Sequence, residues 1–194
     1  MFFLRRPSPP VIERFLDRSQ ELPLSYAPVG LIADTSAGRN YDDAIAVIGH
    51  GPADFERARA ALAGWKQFDL GWVELFPRHA SMQPGTTIAV LIHHFGFWSL
   101  NGARIVYGVG DGQGGRHAGI AYGTLTNHAE RGEELFEVSF DTHSGDVIYR
   151  LRAASWPRAL LTRIGYPIVR LLQARFRRDS ADAMRRATSL TSPS

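Results

Sequence analysis

Cysteine is absent from the 194 residues, and lysine occurs once, at Lys66. Without a thiol the chain can form no disulfide, no cysteine nucleophile and no thiolate metal site, so any chemistry falls to carboxylates, histidines and hydroxyls. Also missing is an uninterrupted apolar run of the roughly 20 residues that a bilayer-spanning helix needs. The best candidate, TIAVLIHHFGFWSL, is broken by His93, His94, Gly96 and Ser99, so stable membrane insertion is not expected. The start, MFFLRRPSPP, puts three apolar residues ahead of two arginines and a proline cluster. That order reverses an export signal, and with the lack of cysteine it makes the cytoplasm the expected location.

Several catalytic signatures are lacking as well. GVGDGQGGR is rich in glycine but does not end in GK[ST] and is followed by strand-like sequence, so it reads as a hairpin loop and not as a phosphate cradle. No HExxH spacing occurs, and His93 and His94 are adjacent in a strand pattern, which points them to opposite faces. No metal and no cofactor are expected. Ser99 and Ser155 have no GxSxG setting, which argues against a serine hydrolase.

What is present suffices for one substantial core: 44% of the residues are hydrophobic and 11% aromatic, within the size range of a single domain. Residues 1–24 read as an N-terminal arm and a short helix (VIERFLDRSQELP), 25–187 as the domain, and 188–194 as a disordered tail. LSYAPVGLIA has strand character. In GPADFERARAALAGWKQF, Pro52 suits a first helical turn, and Phe55, Ala58, Leu62 and Trp65 recur at helical spacing. The period then changes to two. WVELFP, TTIAVLIHHFGFW, ARIVYGV, HAGIAYGTLT, EELFEVSF and DVIYRLRAAS are separated by turn-rich pieces, NG among them, which predicts an antiparallel meander. From Pro157 to Ala187 helical spacing returns, through Leu161, Ile164, Ile168, Leu171, Leu172 and Phe176, with Gly165 and Pro167 expected to kink or break the helix.

The alternation carries functional hints. Gly119, Ala121 and Gly123 share one strand face, a stripe of small residues that invites close approach by the last helix or by a bound molecule. Trp98 is expected beside Ile88, Val90 and Ile92. Glu134 shares a face with Phe136, Val138 and Phe140, where an ionised carboxylate is costly unless it is paired, protonated or at a cavity mouth. Pairing with Arg104, Arg150 or Arg152 is one expectation. Glu134 and His128 are the catalytic candidates if there is chemistry. The candidate ligand-binding set is Tyr107, Tyr122, Arg104, Glu134, Phe136, Arg150 and Trp98.

The formal charge of +3 is unevenly placed: eight arginines lie between Arg158 and Arg186 against Asp179 and Asp182, leaving the rest net negative by three. Arg163, Arg170 and Arg177 repeat every seven residues. With 21 arginines in the chain, this preference is general, and a solvated helix back is preferred to a nucleic-acid surface.

Helix, strand, helix, antiparallel meander and long C-terminal helix is the element order of START-like or Bet v 1-like helix-grip proteins, which the chain resembles in topology. The expected fold is therefore α+β, a curved antiparallel sheet of about six or seven strands wrapped around the C-terminal helix. In their wording, IGHGPADFERARAALAGWKQF, NGARIVYG, AYGTLTNHAERGEELFEV, SWP and RLLQARF resemble successive signatures of the family called domain of unknown function 1990, from about Ser25 to Met184. Its members carry proline and glycine in the turn written here as Thr126–Ala129, where this chain departs from the pattern. The resemblance implies fold and membership. Three functional expectations follow in order: a hydrophobic or amphipathic small molecule bound between sheet and last helix; an enzyme of cyclase, isomerase or hydratase type in the same cavity; an adaptor working through the basic helix. The sequence leaves the oligomeric state open.

Overall fold

The computed structural model describes residues 1–33, 41–110, 115–157 and 166–189. Its elements are β1 (Phe2–Phe3), α1 (Pro9–Gln20), β2 (Asp42–His50), α2 (Pro52–Ala63), a 3₁₀ turn (Lys66–Phe68), β3 (Val73–Phe76), β4 (Thr87–His94), β5 (Phe97–Gly110), β6 (His117–Thr124), β7 (Glu130–Phe140), β8 (Asp146–Pro157) and a third helix, α3 (Tyr166–Ser189). One antiparallel sheet in the order β2-β8-β7-β6-β5-β4-β3 curls around α3, and β1 adds to β5. This is the expected helix-grip arrangement.

Both sheet faces are covered, as the two-sided apolar pattern of β4 requires. The inner face carries Ile88, Val90, Ile105, Phe136, Val138 and Tyr149 against α2, the 3₁₀ turn and α3. Phe55, Ala58 and Leu62 of α2 are buried there, as is Trp65, which lies beyond the helix end with a left-handed backbone at φ 58°. In α3 the sheet-facing positions are Leu172, Phe176, Ser180, Met184 and Thr188, a spacing of about one turn. Leu171 is exposed instead. Pro167 sits in the first turn of α3, where its missing N–H costs nothing. Gly165, Leu161, Ile164 and the 190–194 end of the anticipated tail lie outside the described residues, whereas Thr188 and Ser189 are helical.

The outer face is covered by the N-terminal region. Ile12 and Phe15 of α1 pack on Ala89, Leu91 and Leu100. The arm before α1 is held too, since Phe2 and Phe3 pair with Ser99 and Trp98. LSYAPVGLIA is not a strand: only the Leu24–Leu125 bridge forms, Pro28 offers no ladder donor, and Tyr26, Leu31 and Ile32 instead bury against Ala121, Leu135 and Ala154. The strand overlooked in sequence is β2, which closes the sheet beside β8.

The small-residue stripe therefore meets a different neighbour from the one anticipated. Gly119, Ala121 and Gly123 face outward, and a Cβ on Gly123 would lie 2.9 Å from Leu24 Cδ2 and closer still to the Tyr26 hydroxyl. Gly123→Ala should thus lift the N-terminal segment and cost about 1–3 kcal/mol. Urea unfolding would measure the loss, and an unchanged midpoint would mean that Tyr26 is not seated on this strand.

A second revision concerns the hairpin joining β4 to β5. The turn is Phe95-Gly96, both residues left-handed at φ 49° and 78°, as a two-residue type I′ connection demands. Asn101-Gly102, expected to be a turn, lies inside β5. The register sets His93 opposite Trp98 and Ile92 opposite Ser99. Trp98 consequently belongs to the outer face, stacked on His93 with centroids 4.4 Å apart, and Ser99 and Asn101 take the inner positions.

Candidate functional site

Curling the sheet around α3 leaves a cavity of about 280 Å³ between them. Its apolar walls are aromatic and aliphatic: Phe68, Trp72, Val90, Ile92, Leu151, Leu172 and Phe176. Phe68 is the hub, with ring centroids 5.4 Å from Phe136, 5.5 Å from Phe176 and 6.4 Å from Tyr122. Polar groups converge at one end: Tyr122 from β6, Glu130 and Glu134 from β7, His128 from the turn between them, and Gln173 and Arg177 from α3.

Strand periodicity explains the carboxylates. Glu130 and Glu134 lie four residues apart on β7, an even spacing, so both face inward together with Phe136. Tyr122, directly opposite Glu134 in the ladder, donates its hydroxyl to Glu134 Oε2 at 2.5 Å. Enclosure by protein atoms pushes the Glu134 carboxyl up to about 7, offset in part by the Tyr122 hydrogen bond. Burial likewise pushes the Tyr122 phenol well above its ordinary value. Glu130 is raised by burial and steadied by Gln173, whose Nε2 donates to Glu130 Oε1 and to Ser155 Oγ, both at 3.1 Å.

His128 is placed by its own turn. Its Nδ1 accepts the Glu130 backbone N–H at 3.0 Å, and burial lowers the ring to about 4. The imidazole is therefore neutral near pH 7, and its remaining hydrogen is on Nε2. Asn101 holds this turn from β5, its Oδ1 accepting the Ala129 N–H at 3.2 Å.

The positive charge nearby is committed. Arg170 forms a two-pronged ion pair with Asp42 of β2, one contact at 2.9 Å, and Arg177 reaches the same carboxylate at 3.0 Å. These arginines tie α3 to the edge strand and are not a solvated back; Arg163 lies outside the described residues. Arg175 and Arg178 pair with Asp179, and Arg185 with Asp182.

Of the residues anticipated as ligand contacts, Tyr122 and Glu134 line the cavity and Phe136 packs just behind Tyr122, at 5.7 Å between centroids. His128 lines it as well. Arg104, Tyr107, Arg150 and Trp98 do not. Arg104 faces outward and caps α1, donating to the Ser19 and Gln20 carbonyls at 3.1 and 2.8 Å. Arg150 alternates with the inward Tyr149, so it pairs outside with Asp43 and Glu137. A bulge between Ile105 and Tyr107 breaks the alternation and sets Tyr107 opposite Ala121 on the outer face. Among the described residues no arginine forms a hydrogen bond to Glu134, although Arg177 is near enough to favour its charged form; Arg152 bonds the Ile32 carbonyl and Asp43.

Tyr107 joins a polar cluster that sequence reasoning passed over. Glu133, fully buried, accepts from Tyr26 Oη at 2.7 Å, Tyr107 Oη at 2.5 Å and the Gly30 N–H at 2.9 Å. Glu130, Gln173 and Arg177 were also missed as cavity residues. The even spacing of Glu130 and Glu134 could have revealed the first, had the strand been started three residues earlier. Among the described residues, no three metal-ligating side chains converge, and no helix is long and apolar enough to cross a membrane.

Comparison with known proteins agrees with this architecture. A UPF0548 protein of Dictyostelium discoideum is 32% identical over 207 residues, spanning 96% of this chain and 95% of that one. A UPF0548 protein of Deinococcus radiodurans is 35% identical over 204 residues, spanning 96% and 98%. Among solved structures, hypothetical protein jhp0584 of Helicobacter pylori superposes with a TM-score of 0.55 at 9% identity, over 84% of this chain and 95% of that one; this likeness speaks to fold alone. The family model described as Domain of unknown function (DUF1990) matches residues 25–183, and with relatives of this identity and coverage the chain belongs to that family.

Proposed function

We propose that the protein binds a hydrophobic or amphipathic small molecule between the sheet and α3. The observation that carries this reading is a cavity of about 280 Å³ with aromatic walls and polar groups gathered at one end. That volume is near the lower bound of roughly 300–1,000 Å³ for small-molecule sites, and apolar walls with a few oriented polar groups are their usual construction.

Native mass spectrometry of the full chain purified from its own host should show an added mass that denaturation releases. Ala153, opposite Glu134 on β8 and on the cavity wall, supplies the control. Ala153→Leu puts three more carbons into the void and should weaken binding of an apolar fluorescent probe more than tenfold without lowering the melting temperature. Equal probe binding by both proteins, together with no released mass, would end the proposal.

The second reading, an acid–base enzyme in the same cavity, is favoured by one observation. A carboxyl titrating at about 7 and a neutral histidine share its polar end, the arrangement general acid–base chemistry uses. Under it, Glu134→Gln abolishes turnover and leaves occupancy intact.

A further inference from the structure

The charges around the polar end do not balance. Asp42, Glu130 and Glu134 are three carboxylates within one network with Arg170 and Arg177. Both arginines are hydrogen-bonded to Asp42, from where Arg177 also favours the charged form of Glu134 and Arg170 that of Glu130, and Gln173, which bridges Arg170 to Glu130, is neutral. Among the described residues, with every group ionised, the network is one positive charge short. Among the described residues the other groups around Glu134 do not supply it: Tyr122 and Tyr149 are phenols, burial lowers both His128 and His94, and the Met1 ammonium, bonded to the Leu100 carbonyl, bears on His128 and not on Glu134. A low-dielectric cavity tolerates such a deficit poorly, so either a proton or a cation must fill it.

Resting on the small-molecule reading above, we infer that the occupant is an amphipathic amine, its hydrocarbon body against Phe68, Trp72 and Phe176 and its ammonium paired with Glu134. An anionic head would meet two carboxylates, and Arg177, the arginine on the wall among the described residues, is already bonded to Asp42. A neutral head would leave Glu134 holding its proton. An ammonium completes the charge count and sends that proton to solvent. Binding therefore couples to pH: above about 7 Glu134 is already ionised, and below it each complex must first release a proton, so amine affinity should fall about tenfold per pH unit.

Three probes with one hydrocarbon body separate the possibilities: octylamine, octanol and octanoate, titrated calorimetrically into the full chain at pH 6, 7 and 8 in two buffers of different ionisation enthalpy. The expected result is octylamine at least tenfold tighter than octanol at pH 8, octanoate weakest, and proton release near one at pH 6 declining toward zero at pH 8. Glu134→Gln should remove the pH dependence and the amine's advantage while keeping octanol affinity within about twofold. Octanol or octanoate matching octylamine in the wild-type protein would overturn the amine inference and leave the cavity reading standing. Failure of all three to bind would overturn both. The wild-type pH series decides the matter even if the variant folds poorly.

Discussion

Glu133→Ala should lower the unfolding free energy by about 3–5 kcal/mol, the cost expected when one side of a buried, hydrogen-bonded charged cluster is removed. The size follows from what remains. Glu133 has no exposed surface and accepts three hydrogen bonds, from Tyr26 and the Gly30 amide of the 24–33 segment and from Tyr107 of β5. Deleting the carboxylate leaves the Tyr26 and Tyr107 hydroxyls and the Gly30 N–H facing apolar neighbours, and each stranded donor costs about 1–3 kcal/mol. Glu133→Gln should lose less, because the amide oxygen can still accept while its NH₂ group competes with the phenols. Removing one donor at a time, by Tyr26→Phe and Tyr107→Phe, should cost about 1–2 kcal/mol each. Chemical denaturation reads all four. A Glu133→Ala midpoint within error of wild type would refute the latch that this residue forms between the sheet and the 24–33 segment.

The second large effect is hidden in the wild-type protein and emerges only in variants. Glu134 titrates at about 7 in the folded state, above its ordinary 4.5, so its contribution to stability is fully present below pH 4.5 and lost as pH rises to 7. His128 is the mirror case. Its folded value near 4 lies below the ordinary 6.5, so its contribution is present above pH 6.5 and lost as pH falls to 4. Each amounts to about 3 kcal/mol over its window, at about 1.4 kcal/mol per pH unit. Between pH 4.5 and 6.5 the slopes are opposite and cancel, leaving the combined contribution of these two groups nearly flat. Glu134→Gln should uncover a profile in which stability falls as the pH drops through this interval. His128→Gln should uncover one in which it rises. Unfolding free energies measured at half-unit pH steps would show the two tilts, and parallel profiles for wild type and both variants would contradict the burial of these groups.

The two groups are also the pair on which the enzymatic reading would depend, so these profiles bear on function. A carboxyl that changes protonation near neutrality beside a histidine that stays neutral can exchange protons with an occupant. It can equally serve as a counter-charge that appears only when a cation arrives.

The strands themselves were legible wherever a period of two was uninterrupted. Ile120 and Tyr122, Glu134 and Phe136, and Tyr149 and Leu151 all point inward as alternation requires. Apart from β2, overlooked altogether, and LSYAPVGLIA, which forms a single bridge, the failures fall where the period is broken or starts early. Trp98 follows a two-residue turn at Phe95-Gly96, and Tyr107 follows a bulge; either event reverses every face downstream. Glu130 falls in NHAERG, which is polar and contains glycine like a turn, yet β7 already begins there.

By itself the sequence determined the meander, the helix α2 and the pairing of an inward carboxylate with apolar neighbours, because each depends on spacing along one strand or helix. Only tertiary structure decided which molecule of polar surface meets which. Asp42 and Arg170 stand 128 residues apart, and Tyr26 and Glu133 stand 107 apart. Such contacts depend on register, bulges and the curl of the sheet, which no local period encodes. The cavity belongs to the same class, since it is the space left between two surfaces and no single residue specifies it.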